Sequence, residues 1–246
     1  MASELTNRVI KWLEDYRGST RCKGVVLGIS GGKDSTTVAM LAKKVWGDNV
    51  VGVMMPNGHQ ADLQDAMEIC DTLKIRSSVV NIEEAVQATV NAVEWGHFTG
   101  ITPKAMTNIP PRIRMTTLYA IAQSMGYRVI GTGNASEAFI GWTTKWGDSA
   151  YDLNPIYGLT CGEVVRLGLE LAAEFGLNPK FIDKPPADGL TGKSDEDNFG
   201  FSYGDLDKVV NGETQLDEAV VQRIMKMHEV TEHKRRLPYC FRKGEK

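Results

Sequence analysis

Gly24-Val25-Val26-Leu27-Gly28-Ile29-Ser30-Gly31-Gly32-Lys33-Asp34-Ser35 reads as a strand running into a glycine turn and a helix, which makes a parallel α/β sheet. Its first six residues form a short apolar run with β-branched members, as in a strand buried on both faces of a parallel sheet. Just beyond it, Val38, Leu41, Ala42 and Val45 recur at i, i+3, i+4 and i+7. That spacing marks the apolar face of a helix, and Gly47 supplies its stop. Strand, glycine turn and helix in this order make an anion site. The two glycines let the backbone approach a bulky anion. The N–H groups of the first helical turn point at it, helped by a helix end carrying roughly half an elementary charge. Ser30 and Ser35 add hydroxyl donors. Asp34 alone would repel phosphate, so its presence implies a magnesium ion that neutralises both.

The loop is not the common nucleoside-triphosphatase pattern, which needs Gly six residues before the Lys and Ser or Thr after it. Leu27 and Asp34 occupy those positions. Gly192-Lys193-Ser194 fails the same pattern at Ala187, and no GxGxxG follows the first strand.

Outward from the loop, Val9, Leu13 and Tyr16 predict an opening helix that stops at Gly18. Strands are predicted at 50–55, 77–82 and 127–130, and helices at 61–73 and 83–95. A further helix starts at Pro110-Pro111, shows Met115, Leu118, Ala122 and Met125 on one face, and stops at Gly126. This alternation predicts an α/β fold, a doubly wound parallel sheet with helices on both faces. Ligands then bind beyond the carboxyl ends of the strands, where the segments after Ile29 and Ile130 both lie. With 246 residues, 42% of them hydrophobic, the chain reads as a single domain. After Ala150 the pattern loosens. Residues 183–207, rich in Asp, Gly and Pro, read as a linker or a lid, and 205–210 and 216–234 as closing helices.

A net charge of −3 argues against a general nucleic-acid binder. The run His233-Lys234-Arg235-Arg236 is the exception, and on charge alone it reads as a solvated helix end. Cys22, Cys70, Cys161 and Cys240 are too scattered for a zinc site or a disulfide scaffold, which implies reduced thiols and a cytoplasmic protein. No apolar run approaches a membrane span, and the charged amphipathic start is no signal peptide. His59 and His97 stand alone and read as structural or solvent-exposed.

Further motifs narrow the choice. Asn108-Ile-Pro-Pro-Arg112-Ile-Arg114-Met115, Gly131-Thr132-Gly133-Asn134-Ala135-Ser136-Glu137 and Gly141-Trp142-Thr143-Thr144-Lys145-Trp146-Gly147-Asp148 follow in order, then Asp152 and Asn154-Pro155. With the Ser-Gly-Gly-x-Asp-Ser loop, Asp195-Glu196-Asp197, Gly200, Tyr203, Asp207 and Glu232-His233-Lys234-Arg235, they resemble the ammonia-dependent NAD synthetases of the ATP pyrophosphatase superfamily. The resemblance covers nearly the whole chain. It implies that Gly28, Ile29, Ser30, Gly31, Gly32, Lys33, Asp34 and Ser35, with Thr132, bind ATP. It further implies that Asp34 and Glu137 hold magnesium, and that Arg112, Lys145, Asp152, His233 and Lys234 contact deamido-NAD. The basic tail thereby changes from a solvated end to an expected dinucleotide site. A homodimer is also implied. The family often has an ATP-contacting Lys where this chain has Cys161 and a Thr where it has Pro186, so those contacts are not carried over; Lys184 or Lys193 is the expected substitute.

The expected reaction follows from the chemistry of the substrate. A nicotinate carboxylate has oxide as its leaving group, so it must first be adenylated at the α-phosphate of ATP. Ammonia then attacks the acyl carbon. Asp148 is the candidate to take the proton from ammonium; its plainer reading is a turn residue after Gly147. The length leaves no room for an added amidase domain, so free ammonia rather than glutamine is expected. Two other readings share the loop: a tRNA-thiolating enzyme and an ATP-sensing module without turnover. Neither nucleic acid nor membrane is an expected partner.

Overall fold

The computed structural model describes residues 3–59, 62–96, 100–183, 194–213 and 215–241. In chain order the elements are α1 (Glu4–Thr20), β1 (Val25–Gly28), α2 (Lys33–Trp46), β2 (Val50–Met54), α3 (Leu63–Thr72), β3 (Arg76–Val79), α4 (Glu83–Trp95) and α5 (Pro103–Met125). Then follow β4 (Arg128–Val129), α6 (Ala135–Ile140), α7 (Cys161–Phe175), α8 (Lys180–Asp183), α9 (Asp195–Phe199), α10 (Tyr203–Val210) and α11 (Glu218–Val230), with a 3-10 turn at Glu232–Lys234. The sheet order is β3-β2-β1-β4 and every pairing is parallel, as the α/β alternation predicts. A single parallel bridge between Ile130 and Leu153 extends the sheet past β4.

Side chains alternate across the sheet and feed two cores. Val25, Leu27, Ile29, Val50 and Met54 pack with α1, α2, α3 and α7, while Val26, Val51, Val53, Met55 and Val129 pack with α4 and α5. A third cluster joins Ile140, Phe199, Tyr203, Leu206 and Ile224 from α6, α9, α10 and α11. The chain leaves β1 in one direction for β2 and returns on the other side as β4. The crevice at that switch point is where an open α/β sheet takes its ligand.

Three expectations change. The stretch after 150 contains α7, a full helix that the sequence reading passed over. Thr160 and Glu163 form a reciprocal cap at its start, and Val164, Leu167, Gly168, Leu171 and Ala172 are buried at helical spacing. Gly162 and Gly168 weaken its local helix propensity, but the Thr-x-x-Glu cap and the apolar spacing are both local signals of it. The second change is in α5, which begins at Pro103 behind a Thr102 cap and carries Pro110 and Pro111 inside it. Interior prolines remove backbone bonds at about 3 kcal/mol each or more, which is why they read as a start. Here the early turns are braced by Thr107 Oγ1 and Asn108 Nδ2, which donate to the carbonyls of Pro103 and Lys104. Third, the described part of 183–207 is ordered as α9 and the start of α10, capped by Ser194 and Ser202. Lys184, Pro186 and Lys193 lie outside the described residues, as does His97.

Gly168 is where α7 touches α2. A Cβ there would sit 2.5 Å from Thr37 Oγ1 and 3.0 Å from Ile182. Gly168→Val therefore lowers stability by about 2–3 kcal/mol, as overpacking does, read as a lower urea midpoint. An unchanged midpoint would mean that the two helices are not in register as described.

Candidate active site

The loop after β1 is shaped by its own bonds. Ser30 Oγ accepts from the Gly32 N–H at 3.2 Å and lies 3.0 Å from Ser35 Oγ, which in turn donates to the Gly32 carbonyl at 3.1 Å. Gly31 has φ +83°, and a Cβ there would come within 3.0 Å of the Asp62 carbonyl, so a larger residue is excluded twice over. Gly32 is the α2 N-cap and offers no side chain to the helix head. The first N–H groups of α2 are thus left for an anion.

Lys33 and Asp34 open α2. The Lys33 ammonium is buried, bonded at 2.8 Å to Asp34 Oδ2 and 5.4 Å from the Tyr203 ring centroid. Burial opposes its charge, but the carboxylates of Asp34 and Glu137 outweigh burial and hold its pKa above the ordinary value. The second loop meets the first through Asn134, whose Nδ2 donates to Asp34 Oδ1 at 3.1 Å. Asn134 also caps α6: its Oδ1 accepts from the Glu137 N–H, and Glu137 Oε2 accepts from the Asn134 N–H. One capping box therefore fixes Glu137 and, through it, the second carboxylate of the site. Burial, then the charge of Asp34, push the Glu137 pKa up to about 8. Two carboxylates that resist being charged together are a donor set short of positive charge, and hard oxygens of this kind suit magnesium. Among the described residues no group of three or more His, Cys, Asp and Glu clusters as a metal site by itself. Such an ion would need further oxygens from a phosphate and water.

Cys161 stands at the head of α7 close to this group. Burial pushes its thiol up to about 12, against the pull of Lys33. Ser136 Oγ accepts from the Cys161 N–H at 3.0 Å, and Asp207 accepts from Gly162 N–H at 2.7 Å, so the closing helix α10 pins the start of α7. Asn134, Ser136 and Asp207 organise the site although the sequence reading gave none of them a role. The Asn-x-x-Glu spacing of a capping box was the signal for the first. Thr132 lies half-buried in the loop after β4. Past the phosphate loop, a cavity of about 430 Å³ is lined by Pro56, Gly58, His59, Leu63 and Asn81.

The cations predicted from the motifs largely converge. Arg112 Nε donates to the Lys145 carbonyl at 3.3 Å, and Lys145 Nζ donates to the His233 carbonyl at 2.6 Å. Lys234 Nζ donates to Gly141 and Thr143 carbonyls at 2.7 and 2.6 Å. The middle of α5, the 141–148 turn and the tail after α11 thus form one basic face. Asp152 is not held there. Its Oδ2 accepts from the Val129 N–H at 2.8 Å, alongside β4, and its charge acts on Tyr16, Cys22 and Tyr119.

Asp148 accepts from the Thr144 N–H at 2.7 Å and from Thr143 Oγ1 at 2.9 Å, the bonding of a turn organiser. Burial of its carboxyl raises its pKa and the Thr144 N–H opposes the rise, although the residue as a whole is exposed. It is nonetheless near enough to Glu137, Arg114 and Lys234 to act on their charges.

This geometry has counterparts. Residues 5–238 match the family model described as NAD synthase. The chain belongs to the NAD synthase family. It is 39% identical to the NH(3)-dependent NAD(+) synthetase of Carboxydothermus hydrogenoformans over 240 residues, 96% of each chain. Among solved structures, it is similar to the NMN synthetase of Francisella tularensis, with a TM-score of 0.87 and 33% identity, covering 96% of this chain and 97% of that one. It is also similar to the NH3-dependent NAD synthetase of Campylobacter jejuni, with a TM-score of 0.79 and 27% identity, covering 97% and 98%. The fold of this family member is therefore that of the α/β ATP pyrophosphatases, as the motifs implied.

The acidic pair makes a measurable prediction. Without a divalent ion the folded protein takes up a proton on Glu137 that the unfolded chain, with an ordinary carboxyl near 4.5, has already released. Stability is therefore lost as pH rises from that value through about 8. Glu137→Gln removes the repulsion, so at pH 8 and without metal it melts above the wild type, and magnesium no longer raises its melting temperature. A variant that melts lower would show that the pair is balanced by Lys33 alone.

Proposed function

We propose that this chain is a ligase that adenylates the nicotinate carboxylate of deamido-NAD with ATP and amidates it with free ammonia, giving NAD, AMP and pyrophosphate. The observation that carries the reading is the junction of the two loops. Asn134 bonds Asp34 while capping Glu137, beside the uncapped head of α2. The loop N–H groups and Lys33 hold the leaving pyrophosphate, and the cavity at Pro56, His59 and Leu63 takes the adenosine end of ATP. Asp34 and Glu137 would hold magnesium, which neutralises charge on the phosphates when bound. Thr132 faces the same nucleotide from the β4 side.

Arg112, Lys145, His233 and Lys234 bind the phosphates of the second substrate, Arg112 with a planar fork suited to two oxygens. Asp152, lower on the sheet edge, serves a different part of an extended dinucleotide. Asp148 takes the proton that makes ammonium a nucleophile; its turn hydrogen bonds aim the carboxylate and leave lone pairs for that task. The exposed Trp95 at the end of α4 and Met106 in the first turn of α5 support a homodimer. Four free thiols support a reducing, cytoplasmic setting, and no described helix is long and apolar enough to cross a membrane. A second reading is favoured by the similarity to the Francisella NMN synthetase: the substrate would be the mononucleotide half, with one phosphate on the basic face.

Purified protein is given ATP, magnesium, ammonium and either deamido-NAD or deamido-NMN, with one component left out at a time. NAD and AMP are expected in equal amounts, only in the complete mixture. Asp34→Ala and Glu137→Ala each lower the rate at least about 100-fold, the scale of losing a charge-stabilising group. Amidation of deamido-NMN alone would move the assignment to the mononucleotide. AMP formation only with tRNA and a sulfur donor would replace the assignment altogether.

A further inference from the structure

The 143–148 turn holds a residue that the amidation chemistry leaves without a task. Trp146 has φ +62°, the left-handed backbone that residues with a Cβ rarely adopt. Among the described residues two others share it: Arg21, which ends α1, and Lys74, just past α3. Helix ends commonly close in that conformation, but Trp146 closes no helix. It sits in a turn that its neighbours determine several times over. The Trp146 N–H donates to Ser149 Oγ at 3.2 Å, Ser149 Oγ donates to the Thr144 carbonyl at 3.0 Å, and so does the Gly147 N–H at 2.9 Å. A Cβ on Gly147 would lie 3.0 Å from Pro111, so the turn is pressed against the double-proline segment of α5.

Core packing does not account for the side chain, because 50% of Trp146 stays open to solvent. Lys145 Nζ lies 5.6 Å from its ring centroid and at the same time bonds the His233 carbonyl, which ties the indole to the basic face. A strained backbone that holds an aromatic ring out into water beside phosphate-binding cations has the form of a ligand clamp.

We infer that Trp146 is the stacking platform for the nicotinate ring of the second substrate. In a nicotinate nucleotide that ring is a planar pyridinium, and indole is the side chain that best attracts a planar cation through its π face. The basic face then reads the phosphates and Trp146 reads the ring, which would set the carboxylate in a fixed place before adenylation. This rests on the amidating function proposed above, and it applies equally to deamido-NAD and deamido-NMN, which share the ring.

The test compares Trp146→Phe, Trp146→Ala and Trp146→Gly with the wild type, using whichever nucleotide the wild type amidates. Each variant is measured for the KM of that nucleotide, the KM of ATP, kcat and thermal melting. Trp146→Phe stays within about threefold. Trp146→Ala and Trp146→Gly raise the nucleotide KM about tenfold or more, the scale of one lost stacking partner, and leave the KM of ATP unchanged. Trp146→Gly melts no lower than Trp146→Ala, since glycine takes positive φ freely. An unchanged nucleotide KM in both truncations overturns the inference while leaving the enzyme assignment intact. So does a rise in Trp146→Ala that Trp146→Gly reverses, because that pattern reports backbone strain alone. Wild-type protein that amidates neither nucleotide fails the parent function, and the inference with it.

Discussion

Everything at the carboxyl ends of β1 and β4 depends on one electrostatic constraint: two carboxylates held close together beside one buried ammonium. Asp34 is fixed because it opens α2, and Glu137 because it completes the cap of α6. Glu137 cannot turn away without giving up its cap bond to the Asn134 N–H, nor Asp34 without giving up its bonds to Lys33 and Asn134. Lys33 balances part of their charge from below, under the Tyr203 ring. Under the proposed function, a magnesium-bound triphosphate would bring a cation for this acidic pair and an anion for the head of α2 together.

The rest of the molecule reads as support for that junction. β1 and β4 are adjacent, so the loops that follow them must meet. α7 packs on α2 through Gly168 and keeps the head of α2 in place, while α10 holds the start of α7 through Asp207. The tail after α11 closes the circuit. Arg235 donates to the Ala138 and Phe139 carbonyls of α6, and Lys234 to those of Gly141 and Thr143. Cations suit a helix C-terminus, so the same basic run proposed to meet the second substrate also stabilises the element carrying Glu137. A solvated helix end and a ligand site were the two readings of that run. The structure shows a third task, bonding to the last carbonyls of α6, that neither reading included.

Much of the fold was legible because its elements announce themselves locally. The buried strand at 25–28, the apolar stripe of α2 and the glycine stops depend on periods of two and 3.6 residues and on the backbone freedom of Gly. α7 carried a capping box and an apolar stripe that were legible too, although Gly162 and Gly168 inside it lower its local propensity and its Gly168 face depends on α2. The prolines of α5 misled. Locally they end or begin helices, yet Pro110 is buried and Pro111 packs on Gly147, so tertiary contacts outweigh the local cost.

The parallel α/β class, the anion loop and the residue types that assemble around it follow from local sequence, since each of these depends on neighbours within a few positions. Which of those residues meet depends on packing between distant segments. Arg112, Lys145, His233 and Lys234, spread over 123 positions, came together, and Asp152 was drawn to the edge of β4. Packing also decided that Trp146 should stand out in the solvent on a left-handed backbone. Spacing along the chain carries no information about such encounters. They are set by where strands, helices and turns from distant segments can pack without leaving a buried polar group unpaired.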